Sequence, residues 1–118
     1  MEKKRKCPVC ENIMDDEYPY EICPVCYWEA DPYQEEFPNE DGGANKISLN
    51  QARRGWLRSI KTVKCNIQET EGHLVYGKVY DVLGTDGHLL KIKNENGYNG
   101  LYPLSWFEIV HKEEYRVP

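Results

Sequence analysis

The sequence has little of what builds a large apolar core or a catalytic centre. Its 118 residues include two phenylalanines, two methionines and three histidines. No stretch approaches the roughly 18 apolar residues that a membrane-spanning helix needs. The opening MEKKRKC carries four cations, as a secretory leader would, but no apolar run follows them. These two absences lead to the expectation of a cytoplasmic protein with no membrane partner, in which thiols stay reduced. Positive charge is also short. The net charge is −5 and the isoelectric point is near 5.2. Residues 1–30, 31–60 and 61–118 carry −3, −1 and −1, which disfavours strong non-specific binding to a phosphate backbone. His73, His88 and His111 are scattered, and none stands at ligand spacing from a cysteine. No Ser-His-Asp, Cys-His or paired-carboxylate arrangement can be assembled by spacing, and no phosphate-binding glycine loop is present. An enzyme is therefore not expected.

Cysteine is what the chain does have: five residues, four of them in two C-P-V-C repeats. Cys7 and Cys10 form the first pair, and Cys23 and Cys26 the second. Two residues between cysteines let one tight turn aim both sulfurs at a single ion. The dozen residues between the pairs suit two facing hairpins that close a tetrahedral site. Tandem pairs at this spacing are a specific zinc signal. Iron is the competing ion, because an all-thiolate site accepts it too. A thiol–disulfide redox role for the two C-P-V-C motifs is an alternative. It fits less well, since such dithiols want a strand before and a helix after to lower the thiol pKa. A disulfide framework fits a secreted chain, which nothing here marks. Four thiolates leave a zinc ion no open position, so a structural ion is expected rather than a catalytic one. Cys65 is left over and reads as a small buried hydrophobe.

The residues divide into a cysteine-rich zinc-binding unit over 1–60 and a β-rich unit over 61–118. Around the cysteines, Val9, Ile13, Ile22 and Val25 can form a small apolar patch. The stretch from Tyr27 to Asn45 holds prolines and a glycine pair, which argue against regular structure. It also holds Tyr27, Trp28, Tyr33 and Phe37, which argue for an ordered loop laying its aromatics against neighbours. Asp31, Glu35, Glu36, Glu40 and Asp41 read as a solvated acidic rim. A helix is predicted over 48–60. Ser48 and Gln51 form a capping box, and Leu49, Ala52, Trp56, Leu57 and Ile60 share one face. Arg53, Arg54 and Arg58 fall on the other flank, and Gly55 costs about 1 kcal/mol there against alanine. From Lys61 the period becomes two. Strands are expected near 61–67, 77–83, 88–93, 98–102 and 107–110, with T-D-G and N-E-N-G as turns. Five short strands with tight turns suggest a small barrel.

Two resemblances follow from particular motifs. YEICPVCYWEADPYQ (Tyr20 to Gln34) and GGANKISLNQAR (Gly42 to Arg53) resemble the bacterial cysteine-rich CPCC family over about residues 5–58. The chain departs from C-P-C-C at Val9, which leaves Cys7 and Cys10 alone to face Cys23 and Cys26. The resemblance implies a metal-binding bacterial protein and names no substrate. GYNGLYPLSWFEIV resembles the end of an SH3 domain, with Pro103 and Trp106 in a short turn. That implies an SH3-like barrel, and with the cysteine pairs and the helix the expected fold is a small α+β protein: a zinc-ribbon-like knuckle pair, one amphipathic helix and a five-stranded SH3-like β-barrel.

The expected function is a non-enzymatic protein-interaction module folded by one structural zinc, of the kind that serves bacteria as immunity or accessory factors. The candidate partner contacts are Tyr27, Trp28, Tyr33 and Phe37 in the loop and Tyr98 and Trp106 in the β-rich unit. A nucleic-acid-binding role is the other alternative. It rests on the Lys3–Lys6 cluster, on Arg53, Arg54 and Arg58, and on tyrosines for stacking.

Overall fold

A computed structural model of the chain describes residues 4–15 and 20–118. Lys3, part of the expected basic cluster, lies outside them. The chain forms two compact units. One comprises Met1–Trp56 with the returning tail Tyr115–Pro118, and the other comprises Leu57–Glu114.

The first unit is built on two small hairpins. β1 (Lys4–Lys6) pairs antiparallel with β2 (Ile13–Asp15), Arg5 standing opposite Met14. The second hairpin has an antiparallel bridge between Ile22 and Glu29, and the Tyr20 amide donates to Ala30 O at 2.7 Å and the Ala30 amide to Glu21 O at 2.8 Å. Each turn carries one C-P-V-C repeat. Of the four apolar residues expected to cluster around these turns, only Val9 is buried; Ile13, Ile22 and Val25 are exposed.

The stretch expected to be irregular contains a short helix, α1 (Pro32–Glu36). The reason is local. The Asp31 carboxylate accepts from the Tyr33 and Gln34 amides at 2.9 and 3.3 Å, capping the helix start. Pro32 then occupies the first helical position, where its missing N–H costs nothing. The helix stops at Glu36, and Phe37, before Pro38, closes it.

α2 (Leu49–Ser59) begins as predicted. The Gln51 amide donates to Ser48 Oγ at 3.2 Å, and the Ser48 amide donates to Gln51 Oε1 at 2.8 Å. Leu49, Ala52, Trp56, Leu57 and, just past the helix, Ile60 are all buried. Gly55 has a packing reason. A side chain there would collide with the Tyr115 ring of the returning tail.

The second unit holds β3 (Ile60–Cys65), β4 (Val79–Asp81), β5 (Gly84–Asp86), β6 (Leu89–Lys93), β7 (Asn99–Pro103) and β8 (Phe107–Lys112). These make two antiparallel three-stranded sheets, ordered β4-β3-β8 and β5-β6-β7. The expected closed five-stranded SH3-like barrel is not found among the described residues. The strand expected over 77–83 is the point of difference. It ends at Asp81, and the chain changes sheets there. The Val82 amide donates to Lys61 O at 2.8 Å, whereas the Leu83 amide donates to Lys91 O at 2.8 Å. Thr85 and Asp86, expected in a turn, lie in β5, and the turn falls at Gly87 and His88.

Alternation does place the core. Ile60, Val63 and Cys65 of β3, Leu90 and Ile92 of β6, and Tyr80, Tyr102 and Phe107 are buried. Cys65 is enclosed among these, as expected of a hydrophobe.

Candidate metal centre

The two C-P-V-C turns have the same backbone design. In the first, the Cys7 amide donates to Asn12 O and Cys7 O accepts from the Glu11 amide, both at 2.9 Å. In the second, the Cys23 amide donates to Trp28 O and Cys23 O accepts from the Tyr27 amide, both at 2.9 Å. The residue after each repeat turns left-handed, with φ of 64° at Glu11 and 69° at Tyr27. Non-glycine residues adopt that conformation at a cost. Here it folds each turn back so that both of its cysteines point to the same side.

The result is a four-sulfur cluster. The ligand atoms of Cys7, Cys10, Cys23 and Cys26 all lie within 4.8 Å of one another. Cys7 Sγ is 3.5 Å from Cys26 Sγ, and Cys10 Sγ is 3.6 Å from Cys23 Sγ. Thiolates bound tetrahedrally at 2.3 Å stand about 3.8 Å apart, so the donor set fits such an ion. A disulfide needs its sulfurs at about 2.05 Å; all five cysteines are free. Cys7, Cys23 and Cys26 are buried and Cys10 is half-buried. The Asn12 side-chain amide approaches Cys23 Sγ at 3.9 Å, a weak contact that suits a charged sulfur.

The thiols perturb one another strongly. Cys7 is pushed down to about 2, because the Cys10 and Cys26 thiols donate hydrogen bonds to it. Cys10 is pushed up to about 12: a bond from Cys26 pulls it down, but donation to Cys7 and burial outweigh that. Cys26 is also pushed up, by its bonds to Cys10 and Cys7 and by burial. Cys7 is thus held toward the thiolate by the S–H groups of Cys10 and Cys26, which are held toward the thiol. A divalent cation compensates more negative charge, so its binding expels protons and weakens as pH falls.

Three contacts brace the cluster. Arg53 Nε donates to Pro8 O at 2.8 Å, fastening α2 to the first turn. The tail amide of Val117 donates to Cys26 O at 2.6 Å. Beside it, the Arg116 guanidinium lies 4.6 Å from the centre of the Tyr27 ring.

A polar clasp next to the cluster was not foreseen from the sequence. Gln34 is fully buried. Its amide donates to the carbonyls of Glu40, Asn45 and Ile47 at 3.1, 3.2 and 3.1 Å. Its oxygen accepts from the backbone and side-chain N–H groups of Asn45, each at 3.0 Å. Asn45 also grips Glu29, accepting from its amide at 2.9 Å and donating to its carbonyl at 2.8 Å. Asp31 Oδ2 accepts from the Ala44 amide at 2.9 Å, so Asp31 serves both the helix and the G-G-A-N segment. A side chain at Gly43 would collide with Asp31 and Gln34. Asp31 and Glu35 therefore do not belong to an exposed acidic rim, whereas Glu36, Glu40 and Asp41 are exposed. Glu35 pairs with Arg5 at 2.7 Å and accepts from the Asp31 amide at 3.0 Å. The D-P-Y-Q run did carry a signal, an N-cap followed by proline, that would have revealed α1.

The aromatic residues separate. Trp28, expected at the surface, is fully buried and points its indole N–H toward Glu35 Oε2 at 3.4 Å. It packs inside the first unit and offers no contact surface. Tyr33 and Phe37 come together on α1, ring centroids 4.8 Å apart, and both are exposed. Tyr27 is exposed under Arg116. Tyr98 is 73% exposed at the start of the β7 hairpin arm. Trp106 is half-buried and lies 5.6 Å from the Tyr102 ring.

No helix among the described residues is long and apolar enough to cross a membrane. Neither the curated proteins nor the solved structures yield a match to the chain. The family model described as cysteine-rich CPCC matches residues 5–67, a span that takes in all four clustered cysteines and the whole polar clasp. Val9, where C-P-C-C would place a further thiol, is buried beside the cluster as an aliphatic side chain. On that match the chain belongs to the cysteine-rich CPCC family.

Proposed function

We propose that this protein is a non-enzymatic interaction module whose first unit is a zinc ribbon folded by one structural zinc ion held by Cys7, Cys10, Cys23 and Cys26. The observation that carries the reading is the convergence of four largely buried sulfurs within 4.8 Å. Four thiolates complete a tetrahedral shell, and a complete shell has no position for a water or a substrate. When bound, the ion supplies folding free energy and the cysteines supply all of its charge compensation. A protein partner in the bacterial cytoplasm, met in an accessory or immunity role, suits the exposed Tyr33–Phe37 pair and Tyr98. The nucleic-acid alternative loses support from its own arginines. Arg5 pairs with Glu35 and Arg53 Nε donates to Pro8 O, so both already serve the fold.

Elemental analysis of gently purified protein is expected to give one zinc per chain. Iron in place of zinc would keep the site and change the ion. Protein that is metal-free yet fully folded would overturn the reading.

A further inference from the structure

The second unit contains a cavity of about 360 Å³ lined by Glu69, Thr70, Glu71, His73, Tyr102 and Trp106. We propose that it is a recognition pocket for a guanidinium group, filled by an arginine side chain on a basic segment of a protein partner. This deepens the interaction-module reading by naming the chemistry of the partner.

The argument begins with the walls. Tyr102 and Trp106 stack at 5.6 Å with their planes 35° apart, giving one side of the cavity an aromatic surface. The rest of the lining comes from a loop carrying two carboxylates. Glu69 and Glu71 are exposed and have no ion-pair partner among the described residues. Another acid of this unit is already neutralised: Glu95 holds Lys78 at 2.9 Å and accepts from Tyr80 at 3.0 Å. The cavity thus joins uncompensated negative charge to aromatic faces, and both attract cations. A phosphate or a carboxylate ligand would be repelled.

The kind of cation follows from the geometry. Among the described residues, the four cysteines form the only group of three or more metal-ligating side chains that converge on one point. Glu69, Glu71 and His73 therefore do not make a cage for a metal ion. A planar guanidinium needs no such convergence. It stacks on an indole face while its fork of donors reaches separate carboxylate oxygens. Lysine presents only a point charge and would use the aromatic wall less well.

The loop is set in advance. Thr70 Oγ1 donates to Leu74 O at 2.8 Å and accepts from the Leu74 amide at 3.0 Å. The His73 amide returns to Thr70 O at 3.1 Å, and His73 O accepts from the Glu95 amide at 2.8 Å. Glu71 is held at φ of 55°, an uncommon conformation for a residue with a side chain. Tyr102 is fixed from behind by Asn94, whose side-chain amide donates to its hydroxyl at 3.2 Å. A pocket whose walls are fixed before binding pays less ordering entropy when the ligand arrives.

The test uses the whole 118-residue chain, loaded with metal, and nuclear magnetic resonance. The probes are three capped tripeptides, Ala-X-Ala, with X as arginine, citrulline or glutamate. Citrulline keeps the shape of arginine and removes its charge. The arginine peptide is expected to shift the Trp106 indole N–H and the His73 amide, saturating in the millimolar range typical of a single side chain. Citrulline and glutamate peptides are expected to leave both signals unmoved. Glu69→Gln with Glu71→Gln should weaken arginine binding at least about fivefold, the scale of one exposed cation–carboxylate or cation–π contact. Trp106→Phe should retain part of it. No shift up to about 10 mM peptide, equal response to citrulline, or indifference to the double substitution would each sink the proposal. Metal content measured on the same samples keeps the two readings apart. A silent pocket in zinc-loaded protein removes only the arginine site, whereas a responsive pocket in folded, metal-free protein removes only the zinc reading.

Discussion

The two units bury different chemistry. In the first, the largest fully enclosed side chains are Trp28, Leu49, Gln34, Cys7, Cys23 and Cys26. In the second they are Ile60, Leu90, Ile92, Val63 and Cys65. One core therefore encloses three cysteines and a primary amide among its apolar side chains, and the other is mostly aliphatic. Burying aliphatic carbon is favourable by itself, at about 25 cal/mol per Å². Burying thiols crowded around one point, or a primary amide, is favourable only if something satisfies them. The amide is satisfied by the clasp around Gln34, and the four converging sulfurs could be satisfied by a metal ion. On the zinc reading proposed above, the first unit is expected to need an ion to fold and the second is not. Small units lacking enough apolar surface commonly depend on metal in this way.

The largest expected effect breaks the contrast among the cysteines. Cys7→Ser, Cys23→Ser and Cys26→Ser are each expected to abolish tight metal binding and unfold the first unit, since structural zinc contributes on the order of 10 kcal/mol. Cys65→Ser swaps one buried atom and is expected to cost about 1–2 kcal/mol with metal stoichiometry unchanged. Calorimetric melting with metal analysis on each variant checks this. Equal losses across all of them would erase the distinction between ligand and core cysteine.

Leu90→Ala probes the other side. It removes an aliphatic side chain from the middle of β6 and is expected to cost about 2–5 kcal/mol, measured by denaturant unfolding. Zinc uptake should remain at one ion per chain. Loss of the metal in this variant would show that the aliphatic core and the cluster are not separate supports.

The clasp comes next. Gln34→Leu keeps the volume and strands the carbonyls of Glu40, Asn45 and Ile47. A cost of about 1–3 kcal/mol is expected, read as a lowered melting temperature. Amide exchange should rise across residues 40–47 first. A neutral outcome would mean that the motif linking Asp31, Gln34 and Asn45 has another purpose.

The smallest effect is a gain. Glu11 is held at φ of 64° and its side chain is exposed. Glu11→Gly relieves that conformation and is expected to stabilise the first unit by up to about 1 kcal/mol. The same change at Tyr27 also removes the ring beneath Arg116, so it should gain less.

These features were unequally readable. The cysteine cluster was legible because its information is local: two residues within each turn and a dozen between. The helix start at Ser48 and Gln51 was legible for the same reason, as was the buried face from Leu49 to Ile60. The clasp was not, because its bonds join residues 6 to 16 positions apart and a lone glutamine or asparagine announces nothing. Trp28 was misplaced because burial of an aromatic residue depends on what folds over it, and the Glu35 that its indole N–H meets is seven residues away. The closed barrel failed where alternation stops being informative. Period two shows that a strand has two faces, but not which sheet it joins, and at Val82 and Leu83 the chain passes from one sheet to the other.

Amide exchange before and after chelation tests the central claim most directly. With one zinc bound, protection is expected at the Cys7, Glu11, Cys23 and Tyr27 amides and at those of Val63, Leu90 and Ile92. On titration with a strong chelator, or as pH falls and the thiolates take up protons, the first group should exchange at near-unfolded rates while the second stays protected. Protection that persists in the first group after the metal is gone would contradict the account, since the sulfur-lined core would then be stable without the ion.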